Sequence, residues 1–333
     1  MIGGMLGNNS CGSNSIVYGS TREHALEVKA LLSDGSEAVF GELTKEEFQK
    51  KLERPPPVGE AGKSLERHIY TEINDILSDK KHQKSIASGF PKREIPRRNT
   101  GYALDVLMDS EAFIDSEKPF NFCKLLAGSE GILALTTEIK LNLESLPPKE
   151  KLLVCVHFNS VNESLEANLI ALKYNPLACE LMDHYILECT KQNITQRQNR
   201  FFIKGDPGAI LVVDLSRATM EQAQMDATAM ILEMKSHGFG YHFPVLTGSD
   251  TTKIWALRKA GLGLLANIKG DAKAAPVIED TAVDVQDLPA YIREFNEILK
   301  KHGLYSVHYA HAATGELHLR PILNLKTEEG TKQ

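Results

Sequence analysis

The hydrophobic and polar positions of the first 145 residues predict a β-hairpin followed by two helices. Residues 25–40 carry two apolar runs separated by Asp34-Gly35, a dipeptide that favours a tight hairpin turn. Thr44, with a glutamate three residues later, predicts the start of a short helix over 44–52. Apolar residues at helical spacing predict a longer helix over 63–78.

Beyond the double proline Pro147-Pro148, strand and helix patterns alternate. Strands are predicted at 151–158, 209–215, 241–246 and 275–278, with 178–187 a strand or a strand-helix junction, helices at 161–174, 218–237, 250–266 and 288–302, and a final hairpin at 306–311 and 317–323. This alternation is typical of an α+β sandwich, in which helices pack on an antiparallel sheet. The double proline predicts a domain boundary.

Length and composition indicate an ordinary folded chain. Its 333 residues exceed one typical domain, and 42% of them are hydrophobic and 25% charged. No run of 18 uncharged apolar residues occurs, so we expect no membrane span. A net charge of -6 gives no reason to expect nucleic acid, and we interpret the basic stretch 80–98 as a solvated face.

Cysteine usage and the N-terminal residues predict a cytoplasmic protein. The five cysteines are scattered, without a CxxC pattern, which indicates reduced thiols and no zinc-thiolate or iron-sulfur site. The first residues lack the basic and apolar regions of a secretory signal.

Three small, glycine-bearing segments are candidates for a cofactor site: residues 1–13, 99–104 and 127–137. The first has four glycines in twelve residues, and glycine allows the backbone to approach a ligand closely. Each segment taken singly also fits a turn, and the first also fits a flexible tag remnant. Three of them within 140 residues favour the walls of one nucleotide or flavin site.

The C-terminal hairpin carries a candidate metal pair. A two-residue turn at Thr314-Gly315 would place His311 directly opposite His318, with Cβ atoms roughly 5 Å apart. Two imidazoles on one face suit a divalent metal ion, with zinc favoured and iron or manganese as alternatives. A metal site needs a third ligand, so a half-exposed histidine pair without metal stays an open alternative.

A second constellation consists of Arg258 and Lys273. The two cations could clamp a carboxylate, for which arginine supplies bidentate geometry. Solvated surface cations are the alternative interpretation. Glu279-Asp280 is predicted to cap the next helix. No Ser-His-Asp ordering, P-loop or HExxH occurs, which argues against a hydrolase, and no GxGxxG follows a strand, which argues against an NAD-dependent dehydrogenase.

Taken in order, these segments resemble the FAD-linked oxidases of the vanillyl-alcohol oxidase type, in the branch of D-lactate and D-2-hydroxyglutarate dehydrogenases. The resemblance covers nearly the whole chain. It implies substrate-carboxylate residues at Arg258 and Lys273 and metal ligands at His311 and His318. The flavin-binding positions that it implies are Gly3, Gly4, Gly7, Asn8, Asn9, Ser10, Cys11, Gly12, Tyr18, Gly19, Asn99, Thr100, Gly101, Tyr102, Gly128, Ser129, Glu130, Gly131 and Ile132.

The resemblance also implies a fold and an activity. Residues 1–148 would form the second subdomain of a PCMH-type FAD-binding domain, and residues 149–333 a ferredoxin-like α+β substrate cap. The expected reaction oxidises a D-2-hydroxy acid, D-lactate or D-2-hydroxyglutarate, to the 2-oxo acid, with hydride passing to N5 of FAD. Electrons would continue to an iron-sulfur module or a quinone. The expected cofactors are FAD and a divalent metal, most readily zinc, in a cytoplasmic enzyme that is at most peripheral to the inner membrane.

The sequence departs from the family pattern at three places. Ala313-Thr314-Gly315-Glu316 stands where the family usually has Gly-Asp-Gly-Asn, and it is closer to the long members with a downstream iron-sulfur module. The loop for the FAD pyrophosphate and the later Glu-His pair are not found. We therefore expect an internal fragment that binds FAD weakly and turns over little. The alternative is a non-catalytic flavin-binding or scaffold fragment.

Overall fold

The computed structural model describes residues 1–53, 62–98 and 101–333, and these divide into two units. Unit 1 comprises Met1–Gly12, Tyr18–Lys92 and Arg98–Ser145. Unit 2 comprises Leu146–Gln333 together with two short segments, Ser13–Val17 and Arg93–Arg97. Two pieces of the N-terminal half of the chain therefore belong to the C-terminal unit.

The first half of the chain contains short strands and eight described helices. The strands are β1 (Ala25–Leu31), β2 (Glu37–Phe40), β3 (Glu42–Leu43), β4 (Phe120–Asn121) and β5 (Leu135–Leu141). The helices are α1 (Ile2–Gly7), α2 (Ser15–Tyr18), α3 (Thr21–His24), α4 (Lys45–Glu53), α5 (Gly62–Ser78), α6 (Lys80–Gly89), α7 (Leu104–Met108) and α8 (Cys123–Leu126). An antiparallel sheet has the order β2-β1-β5, and β3 pairs with β4.

Local sequence signals explain several of these elements. Gly35 has a φ of +82° in the β1–β2 turn, which confirms the predicted hairpin. The Thr44 N–H donates to the Glu47 carboxylate over 2.8 Å, and the Glu47 N–H donates to the Thr44 hydroxyl, so the predicted cap of α4 is confirmed. The expected loop over residues 1–13 is wrong in part, because residues 2–7 form the helix α1.

An aromatic cluster forms the core of unit 1. Phe48 on α4 is fully buried, and its ring centroid lies 4.6 Å from that of Phe120 on β4 and 5.9 Å from that of Tyr70 on α5. Phe122 packs edge-on against Phe120 at 4.9 Å. These contacts join both helices to the short strands.

Unit 2 is built on one large antiparallel sheet. Its strands are β6 (Leu152–Phe158), β7 (Ala178–Asp183), β8 (Ala209–Asp214), β9 (Val245–Thr247), β10 (Lys273–Ala274), β11 (Ile278–Ala282), β12 (Ser306–His311) and β13 (Glu316–Leu323). The order is β10-β13-β12-β7-β8-β6-β9, with β11 also paired to β13. The helices are α9 (Val161–Leu172), α10 (His184–Gln192), α11 (Ile194–Arg197), α12 (Met220–Ser236), α13 (Ser249–Leu264), α14 (Leu288–Lys301) and α15 (Glu328–Lys332).

Helices cover both faces of this sheet. Along β6, Leu152, Val154 and Val156 belong to the hydrophobic core shared with α9, α12 and α14, whereas Leu153 and Cys155 belong to the core shared with α10 and α13. Successive side chains of a strand point to opposite faces, so a strand that is covered on both faces is apolar throughout. Glu180, Tyr309, His311 and His318, which are described below, lie on the face covered by α10 and α13.

Two predicted strands are wrong in part. Of the strand predicted at 241–246, only Val245 and Leu246 lie in a strand, β9. Residues 275–277 separate β10 from β11, which begins at Ile278, and they contain Pro276. Proline has no N–H to donate to a sheet ladder, so pairing with β13 is interrupted there. Among the described residues, no helix combines the length and the apolar character needed to cross a membrane.

Candidate active site

The C-terminal hairpin brings His311 and His318 together, but in a different register from the one predicted. Residues 312–314 form a 3₁₀ turn that ends at Gly315 with a φ of +71°, so His311 pairs with Glu316, and His318 pairs with Tyr309. The predicted pairing of His311 with His318 is therefore wrong, because the connection has four residues and not two. Side chains alternate with a period of two, so a shift of two residues keeps both histidines on one face. Their ring centroids are 5.3 Å apart.

Glu180 on β7 connects His311 to Arg258. The β7–β12 register pairs Tyr309 with Met182 and Ala310 with Leu181, and its extension places Glu180 opposite His311. The Nδ1 atom of His311 donates to Glu180 over 2.9 Å.

Arg258, on α13, is the second partner of Glu180. Its Nη2 forms an ion pair with the Glu180 carboxylate and lies 3.3 Å from the Ala310 carbonyl oxygen. Glu180 is fully buried, and Arg258 is 5% exposed.

The ring of Tyr309 supports the guanidinium of Arg258. The Cζ atom of Arg258 lies 3.4 Å from the ring centroid, a cation–π contact, and the Tyr309 hydroxyl donates to the Arg258 carbonyl. Burial lowers the pKa of Arg258, and the charge of Glu180 opposes that effect. The Nε atom of Arg258 is buried and has no hydrogen-bond partner among the described residues.

His318 is held by two carboxylates of β11. Its Nδ1 lies 3.0 Å from Glu279 and 2.8 Å from Asp280, and Glu279 also pairs with Arg320. Burial opposes the charged form of His318, but the hydrogen bond and the charge of Asp280 outweigh it and raise the pKa. The prediction that Glu279-Asp280 caps the next helix is wrong, because α14 begins after Asp287 and these carboxylates lie in a strand.

The segment 93–97 adds a cation to this face. Arg97 forms a buried ion pair with Glu316 and donates to the hydroxyl of Ser15, which belongs to the other inserted segment of unit 2. Burial raises the pKa of Glu316, although the charges of Arg97 and His311 oppose that rise.

The histidine pair fits a metal ion in two respects. A zinc–nitrogen distance near 2.0 Å puts each ring centroid about 3 Å from the ion, so two imidazoles on a tetrahedral ion have centroids about 5 Å apart. Each Nδ1 atom is engaged by a carboxylate, which leaves Nε2 as the ring nitrogen that a metal could bind, an arrangement that is usual for metal-binding histidines. Within the described residues, no set of three His, Cys, Asp or Glu ligand atoms that includes both histidines lies within 4.8 Å of one another.

Among the described residues, Lys273 and Arg258 share no hydrogen-bond partner. Lys273 is exposed on β10, and its Nζ donates to the Ile268 carbonyl, whereas Arg258 is buried against Glu180. The carboxylate clamp formed by these two cations stays a prediction.

In unit 1, two of the three glycine-bearing segments pack on each other. The Glu130 N–H donates to the Gly7 carbonyl over 2.8 Å, and the Gly128 N–H donates to the Leu6 carbonyl over 2.9 Å. The side chain of Asn9, which is buried, accepts from the Arg22 N–H over 2.7 Å. Two segments more than 100 residues apart in the chain thus form one backbone cradle.

Several residues of this cradle have a left-handed backbone conformation. Asn9, Gly128, Glu130 and Gly131 all have positive φ, between +50° and +93°. A Cβ atom on Gly3, Gly4, Gly12 or Gly131 would meet no atom of the described residues within 4 Å, so the backbone there is open. These residues fit a flavin held by its backbone contacts.

The remaining predicted flavin positions are placed as follows. Asn8, Ser10 and Cys11 continue the first segment, and Ser129 and Ile132 continue the last. Gly19 has a φ of +70° beside Tyr18, Gly101 a φ of +67°, and Tyr102 is 37% exposed. Asn99 and Thr100 lie outside the described residues.

Sequence reasoning missed Glu180, Arg97 and Glu316. Only Glu180 had a usable signal, since it is the one carboxylate within the apolar run Leu177-Ala-Cys-Glu-Leu-Met. A carboxylate in a buried strand must be paired.

Fold and site together define a protein of two α+β units with a buried Arg-Glu-His network beside a second histidine. Residues 147–333 match the family described as FAD linked oxidases, C-terminal domain. The chain therefore belongs to the FAD-linked oxidase family. This confirms the family predicted from the sequence.

Individual relatives agree with that assignment. The chain is 30% identical over 345 residues to a D-2-hydroxyglutarate dehydrogenase of Haemophilus influenzae, covering 99% of this chain and 32% of the relative. It is 30% identical over 336 residues to one of Escherichia coli K12, covering 97% and 31%. The chain thus spans about a third of the length of these two dehydrogenases.

A solved structure supports the fold class. The chain resembles alkyldihydroxyacetonephosphate synthase with a TM-score of 0.53 and 12% identity, over 96% of this chain and 50% of that one. Together with the family match, this confirms the predicted α+β fold of an FAD-linked oxidase.

Proposed function

We propose that this chain forms the flavin-facing and substrate-binding part of an FAD-dependent dehydrogenase of D-2-hydroxy acids. The substrate would be D-2-hydroxyglutarate or D-lactate, and the product the 2-oxo acid. The observation that carries the proposal is the buried network of Arg258, Glu180 and His311, which lies beside His318 on one sheet face. The names of the relatives support the substrate class.

The two halves of the chain would have separate tasks. We assign residues 1–148 to the second subdomain of the FAD-binding domain, with the cradle of Gly7, Asn9 and Glu130 facing the cofactor. We assign residues 149–333 to the substrate cap. An iron-sulfur module or a quinone would accept the electrons.

The chemistry divides between the cofactors and the chain. When bound, FAD accepts a hydride, and a divalent metal favours loss of the proton from a hydroxyl group. His311 and His318 would hold the metal, with zinc favoured. Arg258 offers a buried positive charge whose Nε–H has no hydrogen-bond partner among the described residues, and together with Lys273 it would bind the substrate carboxylate.

Ligand-dependent thermal stability tests the substrate proposal. The 333-residue chain with one equivalent of Zn²⁺ is heated with D-2-hydroxyglutarate, D-lactate or the L-enantiomers. A ligand at 100 times its Kd stabilises by about 2.7 kcal/mol, and for a unit of this size each kcal/mol raises Tm by about 2–4 °C. We expect a rise with a D-acid only, and the larger rise identifies the preferred acid.

Two variants on one helix provide the control. Arg258→Lys keeps the charge but loses the planar geometry, so it should abolish most of the shift. Lys259→Met removes the adjacent exposed cation and should leave the shift unchanged. An equal shift in both variants, or an equal response to the L-enantiomers, would remove the basis of the proposal.

Flavin retention tests the first half of the chain separately. The chain is incubated with FAD, passed through gel filtration and measured by flavin absorbance. We expect weak retention of the flavin, and stoichiometric retention would contradict this expectation. If no D-acid binds although flavin is retained, the non-catalytic flavin-binding alternative is favoured.

A further inference from the structure

Glu180 is a buried carboxylate whose two partners come from two other elements. It lies in the middle of β7, where every residue is buried and its own exposure is 0%. Arg258, 78 residues later on α13, forms an ion pair with it, and His311, 131 residues later on β12, donates to it over 2.9 Å. One side chain thus connects the two residues that the proposed function needs most.

Stability alone does not account for this arrangement. A buried ion pair gains little over well-packed apolar residues of similar size, because taking both charges out of water offsets their attraction. An apolar residue at position 180 with an apolar partner at position 258 would serve packing equally well. Neither would fix the orientation of His311.

We infer that Glu180 is a positioning residue for the proposed site. Its carboxylate accepts a hydrogen bond from the Nδ1–H of His311, so in the neutral ring Nε2 is the unprotonated nitrogen that can bind a metal. The same carboxylate holds the Arg258 guanidinium against the ring of Tyr309. This inference rests on the proposed function, because the metal and the substrate carboxylate are what the two oriented groups would bind.

The two histidines differ in the number of carboxylates that contact them. His318 has two carboxylate partners, Glu279 and Asp280, whose side chains are 26% and 66% exposed. Loss of either one leaves the other. His311 has Glu180 as its carboxylate partner among the described residues, so removal of this carboxylate leaves the ring without an acceptor of comparable strength.

Zinc affinity and the protonation pattern of His311 test the inference. Zn²⁺ binding to the 333-residue chain is measured by competition with a chromophoric chelator, and the His311 tautomer by ¹⁵N NMR of the metal-free chain. Glu180→Gln should weaken zinc binding by about 10–100-fold. It should also convert His311 from the Nδ1–H form to a mixture with the Nε2–H form.

Two further variants separate positioning from simple stabilisation. Asp226→Asn removes the carboxylate of another partly buried pair in unit 2, in which Arg217 Nε lies 2.7 Å from Asp226. It should lower stability and leave zinc affinity and the His311 spectrum unchanged. The double variant Glu180→Gln with Arg258→Met also removes the guanidinium that the single variant would leave buried without its carboxylate, so it can be measured if the single variant unfolds. Its zinc affinity should also be lower than that of the wild type.

The outcomes distinguish this inference from the proposed function. If His311→Ala weakens zinc binding but both Glu180 variants bind as tightly as wild type, the metal site stands and the inference about Glu180 fails. If His311→Ala binds zinc as tightly as the wild type, the proposed metal site fails, and the NMR measurement alone then tests the inference about Glu180. An unchanged Nδ1–H tautomer in Glu180→Gln then overturns the inference, and a changed one supports it.

Discussion

Gly261 and Gly263 lie on the same helix, α13, but have different neighbours. We therefore expect the same substitution to change stability differently at the two positions. A Cβ atom on Gly261 would lie 2.7 Å from Cγ2 of Ile186 on α10 and 3.5 Å from Cε2 of Tyr309. A Cβ atom on Gly263 would meet nothing within 4 Å. Ordinary carbon–carbon contacts are about 3.5–4.0 Å, so Gly261→Ala requires α10 or α13 to move by about 1 Å.

The two alanine variants should therefore change stability in opposite directions. Alanine is favoured over glycine by up to about 1 kcal/mol in a helix, and Gly263→Ala, in the last turn of α13, should gain at most that amount. Gly261→Ala gains the same propensity but incurs an overpacking cost of about 1–3 kcal/mol. The free energies of unfolding of the two variants should then differ by about 1–3 kcal/mol, with Gly263→Ala the more stable.

The assay uses the single tryptophan of the chain, Trp255, which lies on α13 and packs against the same core. Urea unfolding followed by its fluorescence reports on unit 2, and midpoints are compared at a constant slope. Equal midpoints for Gly261→Ala and Gly263→Ala would contradict the close packing of α10 on α13.

Three further predictions concern stability elsewhere. Burial lowers the pKa of His157 to about 4, and the hydrogen bond with the Cys155 carbonyl offsets this effect only in part. The unfolded chain therefore binds a proton at a higher pH than the folded chain does, and the free energy of unfolding should fall by about 3 kcal/mol as the pH drops from about 6.5 to 4. Urea unfolding of His157→Leu should lack this pH-dependent component. Gly315→Ala places a Cβ atom 2.1 Å from the Val283 carbonyl oxygen and should lower the free energy of unfolding by more than about 4 kcal/mol. Gly35→Ala, which is also at positive φ but has no described atom near its Cβ position, should lower it by about 1–2 kcal/mol. Similar urea midpoints for the two variants would contradict the packing at the C-terminal hairpin. Phe48→Ala should lower the stability of unit 1 by about 3–5 kcal/mol, and amide hydrogen exchange in α4 and α5 should become faster. An equal increase of the exchange rates in both units would be inconsistent with two separate cores.

Local signals were sufficient for much of the fold. The Asp34-Gly35 turn, the Thr44 and Glu47 cap and the helix that contains Arg258 were each specified within a few residues, because turn geometry, capping and helical periodicity are local properties. The strand predicted at 275–278 is interrupted before Ile278, because Pro276 has no N–H to donate to β13.

The sequence also predicted correctly that His311 and His318 share one face, because the observed register differs from the predicted one by two residues and side chains alternate with a period of two. Their register was decided by the 3₁₀ turn, and their carboxylate partners by the order of the sheet. Glu180 meets His311 because β7 lies beside β12, and Arg97 meets Glu316 across 219 positions because a segment of the N-terminal half belongs to unit 2. Such pairings depend on which elements pack together, and no local pattern records that choice, so only the tertiary structure could show the buried network of the candidate site.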